Sequence, residues 1–292
     1  MELWIFNIRD PLVMKGVFSM WLVFIIKAII IAIIEGITEF LPVSSTGHMI
    51  IAESFLDFRG EFERLFTVVI QLGAIMAIVV LYFNKLIDNF KGIFKKDIKK
   101  IVFWLNILIG TIPVMILGLL FSDAIDFLLD TVKGVAIALI VGGIIIIIIE
   151  NKFAKRKDLT KDVNDLKMRQ ALGIGIYQCL ALWPGMSRSA STIMGGWIMG
   201  VSTQSSAEFS FFLAIPAMFG ASLLKVVKYD APFTNLHLVT LCIGFIVSFI
   251  VALVVVDRFV TYLKKKPMRI FAVYRIALGI LVFVLGYFKI IS

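Results

Sequence analysis

Apolar residues run along this chain in long unbroken blocks with short polar stretches between them. Blocks such as VGGIIIIIIE show no two-residue alternation, the pattern a membrane β-barrel would need. Several approach the ~20 apolar residues with which a helix crosses a bilayer. The blocks predict six full spans, at roughly 65–83, 101–121, 132–150, 206–226, 236–256 and 269–289. Two further regions, 20–56 and 170–199, are apolar but interrupted by Pro, Gly and Ser. Each predicts a helix, a break and a second short helix, with neither piece long enough to be a comfortable span.

The order of these elements repeats. A broken pair and three spans fill about 20–150, and the same series fills about 170–290. P-V-S-S-T-G-H (42–48) lies against G-M-S-R-S-A-S (185–191), and the next spans start alike, with Glu63 and Phe66 in one and Glu208 and Phe209 in the other. Three spans is an odd number, so the second half enters the membrane upside down relative to the first. The expected fold class is therefore an all-α polytopic membrane protein. One integral membrane domain over 1–292 holds six transmembrane helices and two re-entrant helix-loop-helix pairs in an inverted-topology repeat. Irregular backbone at membrane depth is tolerated only where protein or a wet cavity surrounds it. Inverted repeats bring their broken helices face to face near the midplane, so the two polar motifs are expected to meet.

Composition agrees with this class. Hydrophobic residues make up 60% of the 292, against about 45–50% in a soluble domain. The net charge of +9 matters less than its placement. Basic residues gather at 84–100, 151–169 and 257–269, between apolar blocks, where the positive-inside rule puts cytoplasmic loops. The linkers near 122–131 and 227–235 then lie outside; the first has no basic residue and the second only Lys228. Nothing points to nucleic acid as a partner, whereas anionic lipid headgroups suit the same charges. Cys179 and Cys242 have no metal or redox spacing and read as core residues. The first residues, MELWIFNIRDPLVMKG, lack a cleavable signal pattern. They read as a retained interfacial segment carrying Trp4, Phe6 and Phe18.

The two breaks carry the candidate chemistry. In EGITEFLPVSSTGH (35–48), Glu35 and Glu39 stand four residues apart and share a helical face. Carboxylates in a membrane segment are costly and usually functional. The pair could share a proton, hold a hard divalent cation with oxygen ligands, or be helix-end acids reaching the headgroups. Ser44, Ser45 and Thr46 supply hydroxyls at a helix start, where free amides favour anions. His48 has the chemistry of a nucleophile or a general acid/base; the plainer reading is a Ser N-cap beside a satisfied His. In WPGMSRSAST (183–192), Arg188 sits among Ser187, Ser189 and Thr192. Its fork of donors fits phosphate or carboxylate oxygens, so it either pairs with Glu35 or Glu39 or helps form a phosphate cradle. Lys27 reads as snorkelling to the interface.

These motifs, E-G-x-T-E-F-L-P-V-S-S-T-G-H and then P-G-x-S-R-S-x-x-T, resemble those of the undecaprenyl-diphosphate phosphatase (bacitracin-resistance) family. The resemblance runs from about Ile25 to Ile290 and takes in QLGAIMAIVVLY, GTIPVMILGLLF and AEFSFFLAIPAMFGAS. Ala190 departs from the family's more usual Gly, and about 18 residues extend the N-terminus. The resemblance implies a bacterial inner-membrane hydrolase that converts a polyprenyl diphosphate lipid to the monophosphate and phosphate, with its site opening toward the periplasm. It implies a role for Glu35, Glu39, Ser44, Ser45, His48, Ser187, Arg188, Ser189 and Thr192, and a divalent cation, Mg2+ or Ca2+. On residue chemistry Glu35 and Glu39 would hold that cation, and Ser44, Thr46 and the second-motif hydroxyls would bind substrate. The attacking group is Ser45, His48 or an activated water, and the sequence does not choose. A homodimer is one open assembly.

Three rivals remain in view. An inverted-repeat transporter or lipid flippase could use the same charged midplane site. A phosphatase of the type-2 phosphatidic-acid kind needs a second His after Ser-Arg, but Ser189, Ala190, Ser191 and Thr192 follow Arg188, and the only other His is His237. A structural scaffold would leave the cost of inserting Arg and two Glu unexplained.

Overall fold

The computed structural model describes residues 11–121, 125, 131–154, 156 and 159–291. The described residues form α-helices joined by short turns and loops. They are α1 (Pro11–Thr38), α2 (Ser45–Leu56), α3 (Glu61–Leu81), α4 (Phe83–Phe94), α5 (Ile98–Leu120), α6 (Val132–Phe153), α7 (Met168–Gln178), α8 (Arg188–Ile198), α9 (Thr203–Val227), α10 (Asn235–Leu263) and α11 (Arg269–Tyr287). The six expected spans correspond to α3, α5, α6, α9, α10 and α11. The expected second break appears as α7, a 3-10 turn at Cys179–Leu182, and α8.

The helix before the first break is longer than expected. α1 runs unbroken for 28 residues, and its Ser19–Thr38 portion is long and apolar enough to cross a membrane. Seven described helices therefore meet that criterion, not six. Glu35 and Gly36 stay inside the helix, and the chain leaves it only in the turn at 39–43 around Pro42. Pro cannot supply the N–H a continuing helix needs. Of the expected interfacial segment, Trp4 and Phe6 lie outside the described residues, while Phe18 falls on α1. Most of the linker at 122–131 also lies outside them.

Membrane helices associate through close packing, which favours small residues at contacts. α3 and α1 both lie on α10, α6 lies on α11, α5 on α7, and α8 between α7 and α9. Gly36 shows why a small residue is required. A Cβ there would lie 2.8 Å from the Ser248 carbonyl oxygen of α10. This close approach brings α1 down on α10 and seats the neighbouring Glu35 in the interior, where it is fully buried. The central core joins Phe40, Ala74, Ala190, Trp197, Phe211 and Ala252 from different elements. Phe40 and Phe211 meet edge to face, their ring centroids 5.6 Å apart. On the outside, Leu108, Ile112 and Ile116 of α5 and Ile246, Ile250 and Val254 of α10 form exposed stripes at four-residue spacing, as lipid-facing sides do.

That outer surface corrects the reading of the cysteines as core residues. Cys242 is exposed on α10 and Cys179 only half-buried. In lipid an apolar side chain gains little by turning inward, so hydrophobicity does not separate core from surface. Lys27 reaches the carbonyl of Asp57 at 3.4 Å.

Candidate active site

Two short helices start in the same way. Ser44, at the N-cap of α2, has φ 73° and ψ 103°, and its hydroxyl accepts the Gly47 N–H at 3.3 Å. Ser187, at the N-cap of α8, has φ 67° and ψ 118°, and its hydroxyl accepts the Ala190 N–H at 3.3 Å. A serine rarely takes a positive φ. Both do so where the chain turns sharply into a helix, and the next side chain, Ser45 or Arg188, reaches Glu39. Four residues on, each helix closes the same contact. His48 Nδ1 lies 2.7 Å from the Ser44 carbonyl oxygen, and the Ser191 hydroxyl donates to the Ser187 carbonyl at 2.8 Å.

The two motifs meet on one carboxylate. The Ser45 hydroxyl donates to Glu39 Oε2 at 2.8 Å, and Arg188 Nη2 donates to Glu39 Oε1 at 3.1 Å. The pair is largely buried, with side chains 13% and 6% exposed, so its geometry is firmly held. Arg188 Nη1 also donates to the Ser210 carbonyl at 3.0 Å and the Ser210 hydroxyl at 3.1 Å. Its guanidinium carbon stands 5.3 Å from the Phe40 ring centroid, and its Nε is buried without a partner among the described residues. Of the two roles open to Arg188, ion pair and phosphate cradle, the first is thus present with Glu39 as partner.

The remaining expected residues are placed as follows. Glu35 is fully buried, and neither carboxylate oxygen has a hydrogen-bond partner among the described residues. Glu39, Glu53 and Gln71 are its polar neighbours. Thr46 is half-buried in the first turn of α2. The Ser189 hydroxyl donates to the Phe40 carbonyl at 2.8 Å, tying α8 to the turn after α1. Thr192 Oγ1 lies 2.7 Å from the Ser210 hydroxyl and 2.9 Å from the Arg188 carbonyl. Ser189 and Thr192 are both fully buried, and the Thr192 hydroxyl braces the Arg188 backbone. His237 caps α10 with Thr234 and stacks on Phe62, 4.0 Å between centroids.

The carbonyl contact assigns the tautomer of His48. A carbonyl can only accept, so Nδ1 carries the proton and Nε2 carries the lone pair of the neutral ring. The Tyr274 hydroxyl lies 2.7 Å from Nε2 and therefore donates to it. Sequence reasoning missed Tyr274, Ser210 and Gln71. Ser210 and Gln71 had one legible signal, a polar residue inside an apolar span. Tyr274 had none.

The family model described as "Bacitracin resistance protein BacA" matches residues 28–281, which include both motifs. The chain belongs to this family. Among its relatives, the undecaprenyl-diphosphatase of Clostridium tetani is 53% identical over 268 residues, covering 92% of this chain and 98% of its own. That of Clostridium perfringens strain SM101 is 52% identical with the same coverage. Undecaprenyl-diphosphatase 2 of Clostridioides difficile strain 630 is 49% identical, covering 94% of this chain and 99% of its own. The residues joined through Glu39 are thus those of a BacA-family protein matched along nearly its whole length.

Proposed function

We propose that this chain is an integral membrane undecaprenyl-diphosphatase. It hydrolyses undecaprenyl diphosphate to undecaprenyl phosphate and inorganic phosphate, returns the lipid carrier to cell-wall synthesis and raises bacitracin resistance. Identity near 50% to named undecaprenyl-diphosphatases over nearly the whole chain supports the activity. The observation that carries the mechanism is the Ser45–Glu39–Arg188 chain of bonds. A nucleophile bonded to a base, with the base oriented by a third group, is the arrangement of covalent catalysis.

In this reading the Ser45 hydroxyl oxygen attacks the terminal phosphorus. Its proton passes to Glu39, an O–P bond forms to Ser45, and the bridging P–O bond breaks to release undecaprenyl phosphate. Arg188 stabilises the charge on the transferring phosphoryl oxygens. Water then attacks the phosphoserine and gives a proton to Nε2 of His48, the Ser45 Oγ–P bond breaks, Glu39 returns its proton to Oγ, and phosphate leaves. His48 stands three residues after Ser45, on the same face of α2. Ser44 and Ser187 set the helix starts toward the diphosphate, Ser189 ties α8 to the turn after α1, and Thr192 braces the Arg188 backbone.

A divalent cation, Mg2+ or Ca2+, fits the donors present. Both oxygens of Glu35 are buried and unpaired, while those of Glu39 are engaged by Ser45 and Arg188. No group of three His, Cys, Asp or Glu suited to a metal occurs among the described residues. Two carboxylates suffice for a Mg2+-type ion that completes its shell with phosphate oxygens and water. When bound it would neutralise charge on those oxygens.

The matching caps and i→i+4 contacts of α2 and α8 support an inverted repeat with two re-entrant pairs. Charge placement supports a bacterial inner-membrane location with the site open to the outer face. The test is phosphate release from undecaprenyl diphosphate together with mass spectrometry of the quenched protein. Phosphate release with a phosphoryl group on Ser45 is expected. Lipid flipping or solute uptake without phosphate release would instead favour the transporter.

A further inference from the structure

Tyr274 and Arg275 are consecutive on α11, outside both motifs, yet each holds one of them. The Tyr274 hydroxyl bonds His48 Nε2 at 2.7 Å, and the two rings stack nearly parallel, 12° apart with centroids at 5.6 Å. Together with the Ser44 carbonyl at Nδ1, this fixes both nitrogens of the ring. Such a partner sets the tautomer and orientation of a working imidazole.

Arg275 is fully buried. Its Nη2 donates to the Gly185 carbonyl at 3.0 Å and reaches that of Ala138 at 3.5 Å. Nε and Nη1 are buried without partners, and it forms no ion pair among the described residues. A buried guanidinium without a carboxylate is costly, and an apolar residue of similar size would be cheaper. Stability alone therefore does not account for it. What it holds is Gly185, the turn residue at φ +97° two positions before the Ser187 cap. On α6, Gly142 leaves the room: a Cβ there would collide with Nη2 of Arg275.

We propose that Tyr274 and Arg275 act as a two-residue clamp on α11 that positions the two halves of the site against each other. Tyr274 presents the neutral His48 ring in its Nδ1–H form and yields Nε2 to water during turnover. Arg275 fixes the turn from which Ser187 and Arg188 project. The proposal rests on the reading of His48 and Arg188 as site residues. It makes both clamp residues positioning residues rather than groups that touch substrate.

The experiment compares Tyr274→Phe, Arg275→Gln, Arg275→Lys and His48→Gln with wild type, all as full chains in detergent. It records kcat and KM for undecaprenyl diphosphate, the melting temperature, and the 15N signals of the His48 ring. Misplacing a catalytic group by about 1 Å can cost about a hundredfold. Tyr274→Phe is expected to lose roughly ten- to a hundredfold in kcat with KM within about twofold. Its melting temperature should hold and its His48 Nε2 signal should shift, while Nδ1 keeps its proton on the Ser44 carbonyl. Arg275→Gln is expected to lose kcat beyond any loss of folded protein, with Arg275→Lys recovering part of it. If His48→Gln is inactive while Tyr274→Phe keeps wild-type kcat and an unchanged His48 Nε2 signal, the clamp is wrong and the site reading stands. The clamp also fails if Arg275→Gln loses activity only in proportion to folded protein. If His48→Gln turns over at the wild-type rate, the site reading falls and the clamp with it.

Discussion

Ser45 and Arg188 occupy matching positions, each directly after a positive-φ serine cap, and both bond the same carboxylate, Glu39. Two segments 143 residues apart in sequence thereby become one site. Any change to Glu39 therefore acts on both segments.

Replacing Glu39 by Gln keeps the shape but removes the base. General-base catalysis contributes about 10²–10⁴-fold, so Glu39→Gln is expected to lose at least about a hundredfold in kcat. Ser45→Ala removes the attacking oxygen and should leave no phosphoryl group on the protein. Steady-state assays with quench and mass spectrometry check both, and a phosphorylated intermediate surviving in Ser45→Ala would refute the assignment.

The caps at Ser44 and Ser187 carry strain and a hydrogen bond at once. Glycine accepts a positive φ freely, whereas alanine keeps the strain and loses the cap, which is worth about 0.5–2 kcal/mol. Ser187→Gly is therefore expected to melt above Ser187→Ala in detergent. The reverse order would mean that the positive φ at this position does not strain the backbone.

The spans and the charged motifs were legible in the sequence because each is a local pattern. Runs of apolar residues mark α3, α5, α6, α9, α10 and α11, and polar residues inside apolar runs mark Glu35, Glu39 and Arg188. The length of α1 was misread because the apolar run before the break was judged too short to span, although it continues as helix from Pro11 to Thr38. The exposure of Cys242 was hidden because lipid and core are alike to a thiol. The pairing of Arg188 with Glu39, and the contacts of Tyr274 and Ser210, depend on which helices pack together. No local spacing records that.

Charge placement predicts which side each linker faces. A cysteine at Lys95 is expected to react with a membrane-impermeant maleimide only after the cell is opened, and one at Lys228 to react in intact cells. Labelling of the Lys95 site from outside would reverse the orientation and the face on which the site opens.

The central claim is that both motifs form one metal-assisted phosphatase site. The most direct test is phosphate release from undecaprenyl diphosphate by the purified protein. It is run with and without EDTA, beside Arg188→Ala, Glu39→Ala and Glu35→Gln. The account predicts release that EDTA suppresses and Mg2+ or Ca2+ restores. Arg188→Ala and Glu39→Ala should abolish it, and Glu35→Gln should need more cation for half-maximal rate. Release that continues in EDTA and in both alanine variants would contradict it.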